Sequence, residues 1–229
     1  MLFDLRGRGR RRTVQVIYLA LALLMGGGLV LFGIGGGTNG GLFDAIGGSG
    51  GSNASVDKVF QQRLDTYEAR LKVNPQDPAA LIGLTRLHFS NASTGENYNQ
   101  TQQAYTAKGL AELRQASAAW QRYLATKPAK PDVDTANAMT QAYGPLGLKQ
   151  YDKAVSSLEI VIAGKKETAN LYAQLAILAS GAKQDRKSTL AEAKAVALTP
   201  KAQRKQIKSA IDLQKSQLGV TQPTQPQSG

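Results

Sequence analysis

The sequence predicts an all-α protein: one N-terminal transmembrane helix, a glycine-rich linker, then a solenoid-like stack of antiparallel helix pairs. Three observations carry that prediction. An uncharged apolar run extends from Val14 to Ile34, directly behind five arginines (Arg6, Arg8, Arg10, Arg11 and Arg12). Glycine then dominates residues 35–55. From there on, apolar residues recur at helical spacing, and no segment alternates like a strand.

The apolar run is 21 residues long, and about 20 helical residues cross a hydrocarbon core of about 30 Å. The next basic residue after it is Lys58. Basic residues on one flank hold that flank in the cytoplasm, so residues 1–13 are expected inside and everything after the span outside. The expected location is the cytoplasmic (inner) membrane, single-pass, with an extracytoplasmic C-terminal domain. A cleavable secretory signal has a shorter apolar core, about 7–15 residues, and a small-x-small cleavage site. Residues 35–39 (Gly-Gly-Gly-Thr-Asn) offer none, so the anchor is favoured. Ala22 with Gly26, and Gly33 with Gly37, have the small-xxx-small spacing that lets two membrane helices approach, which admits a weak homo-oligomer through the span.

Composition bounds the chemistry. There is no cysteine and a single histidine, His88. Disulfides, thiolate metal sites and cysteine nucleophiles are excluded, and a His-based triad has no second member. No carboxylate pair or metal constellation stands out, so no enzymatic activity, cofactor or metal is expected. The net charge is +12. Without the first 37 residues, which hold the five arginines and Asp4, 23 basic and 15 acidic residues remain, a net +8. No nucleic-acid partner is expected, because the arginines abut a membrane span.

Residues 35–55 read as a flexible tether with a root-mean-square reach of about 25 Å. One apolar island interrupts it, Leu42 to Ile46. The helical domain is expected over 56–218. Phe60, Leu64, Tyr67 and Leu71 share one face of its first helix, which Pro75 stops. Asp77 and Pro78 form an N-cap and first-turn proline for the next. A long helix ending near Thr126 carries Leu110, Leu113, Trp120 and Leu124. Asp132 caps a short helix to Tyr143, and Gly164, Gly181 and Pro200 punctuate those that follow. A last, lysine-rich helix over about 201–217 turns Ile207, Ala210 and Ile211 inward, and 219–229 reads as a disordered tail.

The helices repeat. Leu81, Leu84, Thr85 and His88 stand at i, i+3, i+4 and i+7. So do Ala136, Met139, Thr140 and Tyr143, and again Tyr172, Leu175, Ala176 and Ala179. In each partner helix a small residue precedes larger ones at i+4 and i+7: Ala116, Trp120 and Tyr123, then Ala154, Leu158 and Val161. The third runs Ser188, Glu192 and Ala195. Pro128 and Pro200 close the first and third units. Small residues let two antiparallel helices approach while large ones fill the seam.

On these residues, over roughly 57–218, the chain resembles a tetratricopeptide-repeat (TPR) protein, whose unit is about 34 residues. Thr85, Thr140 and Ala176 depart from the family's glycine, and Glu192 stands where it has a large apolar residue. The first unit carries about 19 extra residues between its helices and the second about two, measured against that period. The resemblance implies a degenerate TPR-like α-solenoid, with 57–73 and 201–217 as its end caps. It also implies a peptide-binding groove on the first helix of each pair, with Ile82, Arg86, Phe89, Asn137, Gln141, Ala173 and Ile177 as its candidates. His88 is expected in the seam. A basic tail, one span and an exported TPR-like domain are together similar to the ancillary, chaperone-like subunits of the bacterial Sec translocon. The implied function is a membrane-anchored protein-interaction scaffold for envelope or newly exported proteins. The alternative is a basic structural module that binds anionic lipid or cell-wall polymer.

Overall fold

The computed structural model describes residues 53–218. The expected basic N-terminus (1–13), span (14–34), most of the linker (35–55) and tail (219–229) lie outside the described residues. Among the described residues no helix is long and apolar enough to cross a membrane.

The described chain is all-α but for one short hairpin. Its helices are α1 (Asn53–Val73), α2 (Pro78–Ala92), α3 (Ala107–Ala125) and α4 (Val133–Tyr143), followed by α5 (Tyr151–Gly164), α6 (Ala169–Gly181), α7 (Asp185–Leu198) and α8 (Arg204–Gln217). They pack as three pairs, α2 on α3, α4 on α5 and α6 on α7. α1 covers α2 at one end, and α8 lies on α6 and α7 at the other. Contacts fix the antiparallel sense of the first and third pairs. Arg122, late in α3, donates to the Pro75 carbonyl ahead of α2 at 3.1 Å. The Ser188 hydroxyl, early in α7, donates to the Ala176 carbonyl in α6 at 2.7 Å.

Capping set two of these boundaries where the sequence placed them. The Asp77 carboxylate accepts from Ala79 and Ala80 N–H and starts α2, while Asp132 Oδ1 accepts from Thr135 N–H at 2.7 Å and starts α4. α1 begins at Asn53, inside the expected linker, by three residues. Between α2 and α3 the polar stretch forms a 3-10 turn and two paired two-residue strands, Tyr98–Asn99 against Ala104–Tyr105. No alternating pattern announces so short a ladder. The Tyr98 and Tyr105 rings close it edge to face at 5.2 Å.

Inside the pairs, the repeating positions form the core. Leu81, Thr85, Ala116, Trp120, Ala136, Met139, Tyr143, Ala154, Leu158, Ala176 and Ala195 are buried. Burying one such leucine or aromatic side chain stabilises by about 1.5–3 kcal/mol. The buried threonines satisfy themselves: Thr85 and Thr140 hydroxyls donate to the carbonyls four residues back, at 2.8 and 2.9 Å. α5 and α6 end at Gly164 and Gly181, where the sequence placed their ends, and left-handed backbone falls on Lys127 (φ 53°), Lys149 (φ 54°) and Lys183 (φ 58°) in the turns. Gly181 serves packing: a Cβ there would lie 2.9 Å from the Tyr151 ring.

Candidate functional site

The first helix of each pair buries one stripe and leaves the neighbouring positions half-exposed. In α2 the buried stripe is Leu81, Thr85 and His88, so Ile82, Arg86 and Phe89 lie at its edge. In α4, Ala136, Thr140 and Tyr143 are buried and Asn137 and Gln141 flank them. In α6, Ala173 and Ile177 flank Ala176 and Ser180 in the same way. All the candidates except Arg86 are half-buried. Ile82, Phe89, Ala173 and Ile177 rest against the core. The Asn137 and Gln141 side-chain amides make no hydrogen bond among the described residues, and a half-buried amide with free donors and acceptors is the group that reads a peptide backbone.

Arg86 has a different job. Its Nη2 donates to Asp132 Oδ1 at 2.6 Å and its Nε to Thr135 Oγ1 at 2.7 Å. Its guanidinium is thus committed to the start of α4 and ties the first pair to the second. Asp132 in turn has two duties, capping α4 and receiving Arg86. Burial pushes its carboxyl up, but hydrogen bonds from Thr135 and Arg86 outweigh burial and hold it below the usual range.

His88 sits in the seam as the spacing implied. Its Nδ1 lies 2.6 Å from Glu112 Oε2 across the α2–α3 interface, and the Phe60 ring of α1 meets it edge-on at 5.8 Å. At the α3–α4 junction the buried Tyr143 hydroxyl meets Ser117 Oγ at 2.9 Å and accepts from Gln121 Nε2 at 3.2 Å. Burial raises the Tyr143 phenol, and these two partners offset part of the rise.

Sequence reasoning missed one constellation. Glu192, the residue out of pattern in α7, accepts from Lys215 at 2.7 Å and from Lys208 at 2.8 Å, both on α8. Lys215 is itself buried, with its side chain 8% exposed. The acid at an apolar position was the available signal, because a carboxylate half-buried in a seam needs a cation from the next helix.

A cavity of about 670 Å³ opens elsewhere, over α6 and α7 beside Tyr172, Leu175 and Leu190. Among the described residues no cluster of His, Asp or Glu could hold a metal ion. No family model, curated protein or solved structure matches the chain.

Proposed function

We propose that the chain is a membrane-anchored protein-interaction scaffold. Residues 1–13 face the cytoplasm, 14–34 span the membrane, and the degenerate TPR-like stack binds envelope or newly exported proteins outside it. The edge of α2, α4 and α6 is the docking strip. What carries this reading is the pair of unengaged amides, Asn137 and Gln141, on a half-exposed helix face. Apolar steps flank them on the neighbouring first helices, at Ile82, Phe89 and Ile177. Amides that pair with a backbone, beside shallow apolar steps, suit an extended segment or a partner helix. Tethering raises the local concentration of such a strip, so weak contacts suffice.

Photo-crosslinkers at Gln141 and Ile177 in intact membranes, with one at exposed Gln115 on α3 as control, test it. The expected result is a shared set of exported or envelope proteins trapped at 141 and 177 but not at 115. Identical products at all three positions would overturn the proposal.

A further inference from the structure

The positive charge of the described residues is uneven. Residues 53–168 hold fourteen Lys and Arg against eleven Asp and Glu, whereas 169–218 hold nine against three. The same end exposes large apolar side chains. Lys187, Leu190, Lys194 and Leu198 stand at i, i+3, i+7 and i+11 of α7 and so share one stripe. Leu190 is 62% and Leu198 41% exposed. The corresponding outer positions of α5, with Ala154 set against Ser188, are Lys153, Ser156, Ile160 and Gly164, which hold one cation and no exposed large apolar side chain. The cavity of about 670 Å³ opens along this stripe, with buried Leu175 and Ala191 as its apolar floor and Leu190, Arg186, Lys187 and Lys194 at its rim.

From this we infer that the outer face of α7 and the cavity beside it bind an anionic phospholipid, laying this end of the domain on a negatively charged bilayer. An apolar floor under a cationic rim matches an amphiphile that carries a phosphate above hydrocarbon. Protruding leucines between lysines are what an interfacial helix presents to headgroups and acyl chains. An acidic protein segment answers the rim but leaves the projecting leucines uncovered.

Opposing charges are present. Lys187 Nζ sits 2.6 Å from Glu159 and Lys194 Nζ 3.0 Å from Glu167, both surface pairs, and Asp185 also borders the cavity. Exposed pairs of this kind are worth about 0–1 kcal/mol, so headgroup phosphates displace the carboxylates readily. Arg186 has no partner among the described residues and is free to bind from the outset. The inference rests on the anchored reading for its proximity to lipid.

The absence of native cysteine makes the test clean. Full-length chain carrying Leu190→Cys, or Gln115→Cys as control, is labelled with a polarity-sensitive dye. Each is reconstituted into vesicles of phosphatidylcholine alone or of equal parts phosphatidylcholine and phosphatidylglycerol. At low salt the 190 label should shift blue and resist acrylamide only in the anionic vesicles, and the 115 label should not respond. Salt should reverse the shift, and Arg186→Gln should weaken association about five-fold. Equal exposure of the 190 label in both lipids overturns the inference. So does salt-independent protection in both, which marks a protein contact. Alkaline extraction reports separately on the anchor: a chain released by it fails the anchored reading, and the same label then reads binding from solution.

Discussion

Replacing Glu192 by alanine removes the acceptor that α8 offers its buried lysine to. Lys215, with its side chain 8% exposed, then keeps an ammonium inside the α6–α7–α8 junction with no carboxylate. Removing one partner of a buried pair costs about 3–5 kcal/mol. Lys208 contributes little to that sum. Its side chain is 56% exposed, and it retains Asp212 at 3.3 Å, an exposed pair worth about 0–1 kcal/mol. Lys215→Met should cost less than Glu192→Ala, because Glu192 then keeps Lys208. The double change Glu192→Leu with Lys215→Met removes both charges and restores the apolar residue of the repeat, and it should come out near wild type or above. Because a helical stack couples mainly to its neighbours, the loss should stay local. Two probes separate local from global effects. Amide hydrogen exchange reads α8, and the fluorescence of Trp120, the single tryptophan, buried in α3, reads the far end. In Glu192→Ala, α8 amides should exchange about a hundred-fold faster, the equivalent of about 3 kcal/mol, while the Trp120 urea transition moves little. Acid should mimic the mutation. Burial raises the Glu192 carboxyl, but hydrogen bonds from Lys208 and Lys215 more than offset burial and leave it below its ordinary 4.5. Its contribution is therefore complete above that value and drains away as pH falls through the lower folded one. If α8 exchange changes less than ten-fold in Glu192→Ala, the buried-pair argument fails.

Three further outcomes follow from the junctions. Asp132→Ala loses both the α4 cap and the Arg86 bond and should cost about 1–2 kcal/mol in urea denaturation, the upper range for a cap; a cost no larger than that of Ser156→Ala would remove Arg86–Asp132 as a tie between pairs. Tyr143→Phe deletes the hydroxyl that joins Ser117 and Gln121 and should cost about 1 kcal/mol by the same assay, with no change counting against a satisfied buried network. At the α6–α7 turn the two changes should have opposite signs. Lys183→Gly relieves left-handed backbone and should gain up to about 1 kcal/mol. Gly181→Ala pushes a Cβ onto the Tyr151 ring and should lose about 1–3 kcal/mol. A thermal-unfolding series in which both move together would contradict the division of labour between the two positions.

What the sequence disclosed was whatever depends on local spacing. Asp77-Pro78 and Asp132 announce helix starts because a cap acts within three residues of itself. The i, i+3, i+4, i+7 sets announce the seams because period alone decides which side is buried. What it withheld depends on meetings between distant residues. Arg86 reads as a ligand-facing cation until Asp132 and Thr135, over forty residues on, are brought against it. Lys215 reads as one more surface lysine of α8, and only Glu192 explains why it is inside. Gly181 announced the end of α6, but spacing could not disclose that its missing Cβ makes room for Tyr151 or that left-handed backbone falls two residues later, at Lys183. Of the seven candidate residues, the place beside the buried stripe was legible, whereas the freedom of Asn137 and Gln141 and the engagement of Arg86 were not.

The excursion between α2 and α3 is joined to the stack at its base. A Cβ on Gly109 would collide with the Asn97 carbonyl and sit 3.0 Å from that of Ala92, so the start of α3 lies directly against the end of α2. Thr106 N–H donates to the Asn97 carbonyl at 2.9 Å and closes the neck of the loop. Beyond the two-residue ladder, the tip from Gln100 to Gln103 is exposed and is no part of the core. The chain thereby owns an addressable port: a peptide epitope or a small folded reporter spliced between Gln100 and Gln102 would lengthen the tip while the helices beneath keep their register.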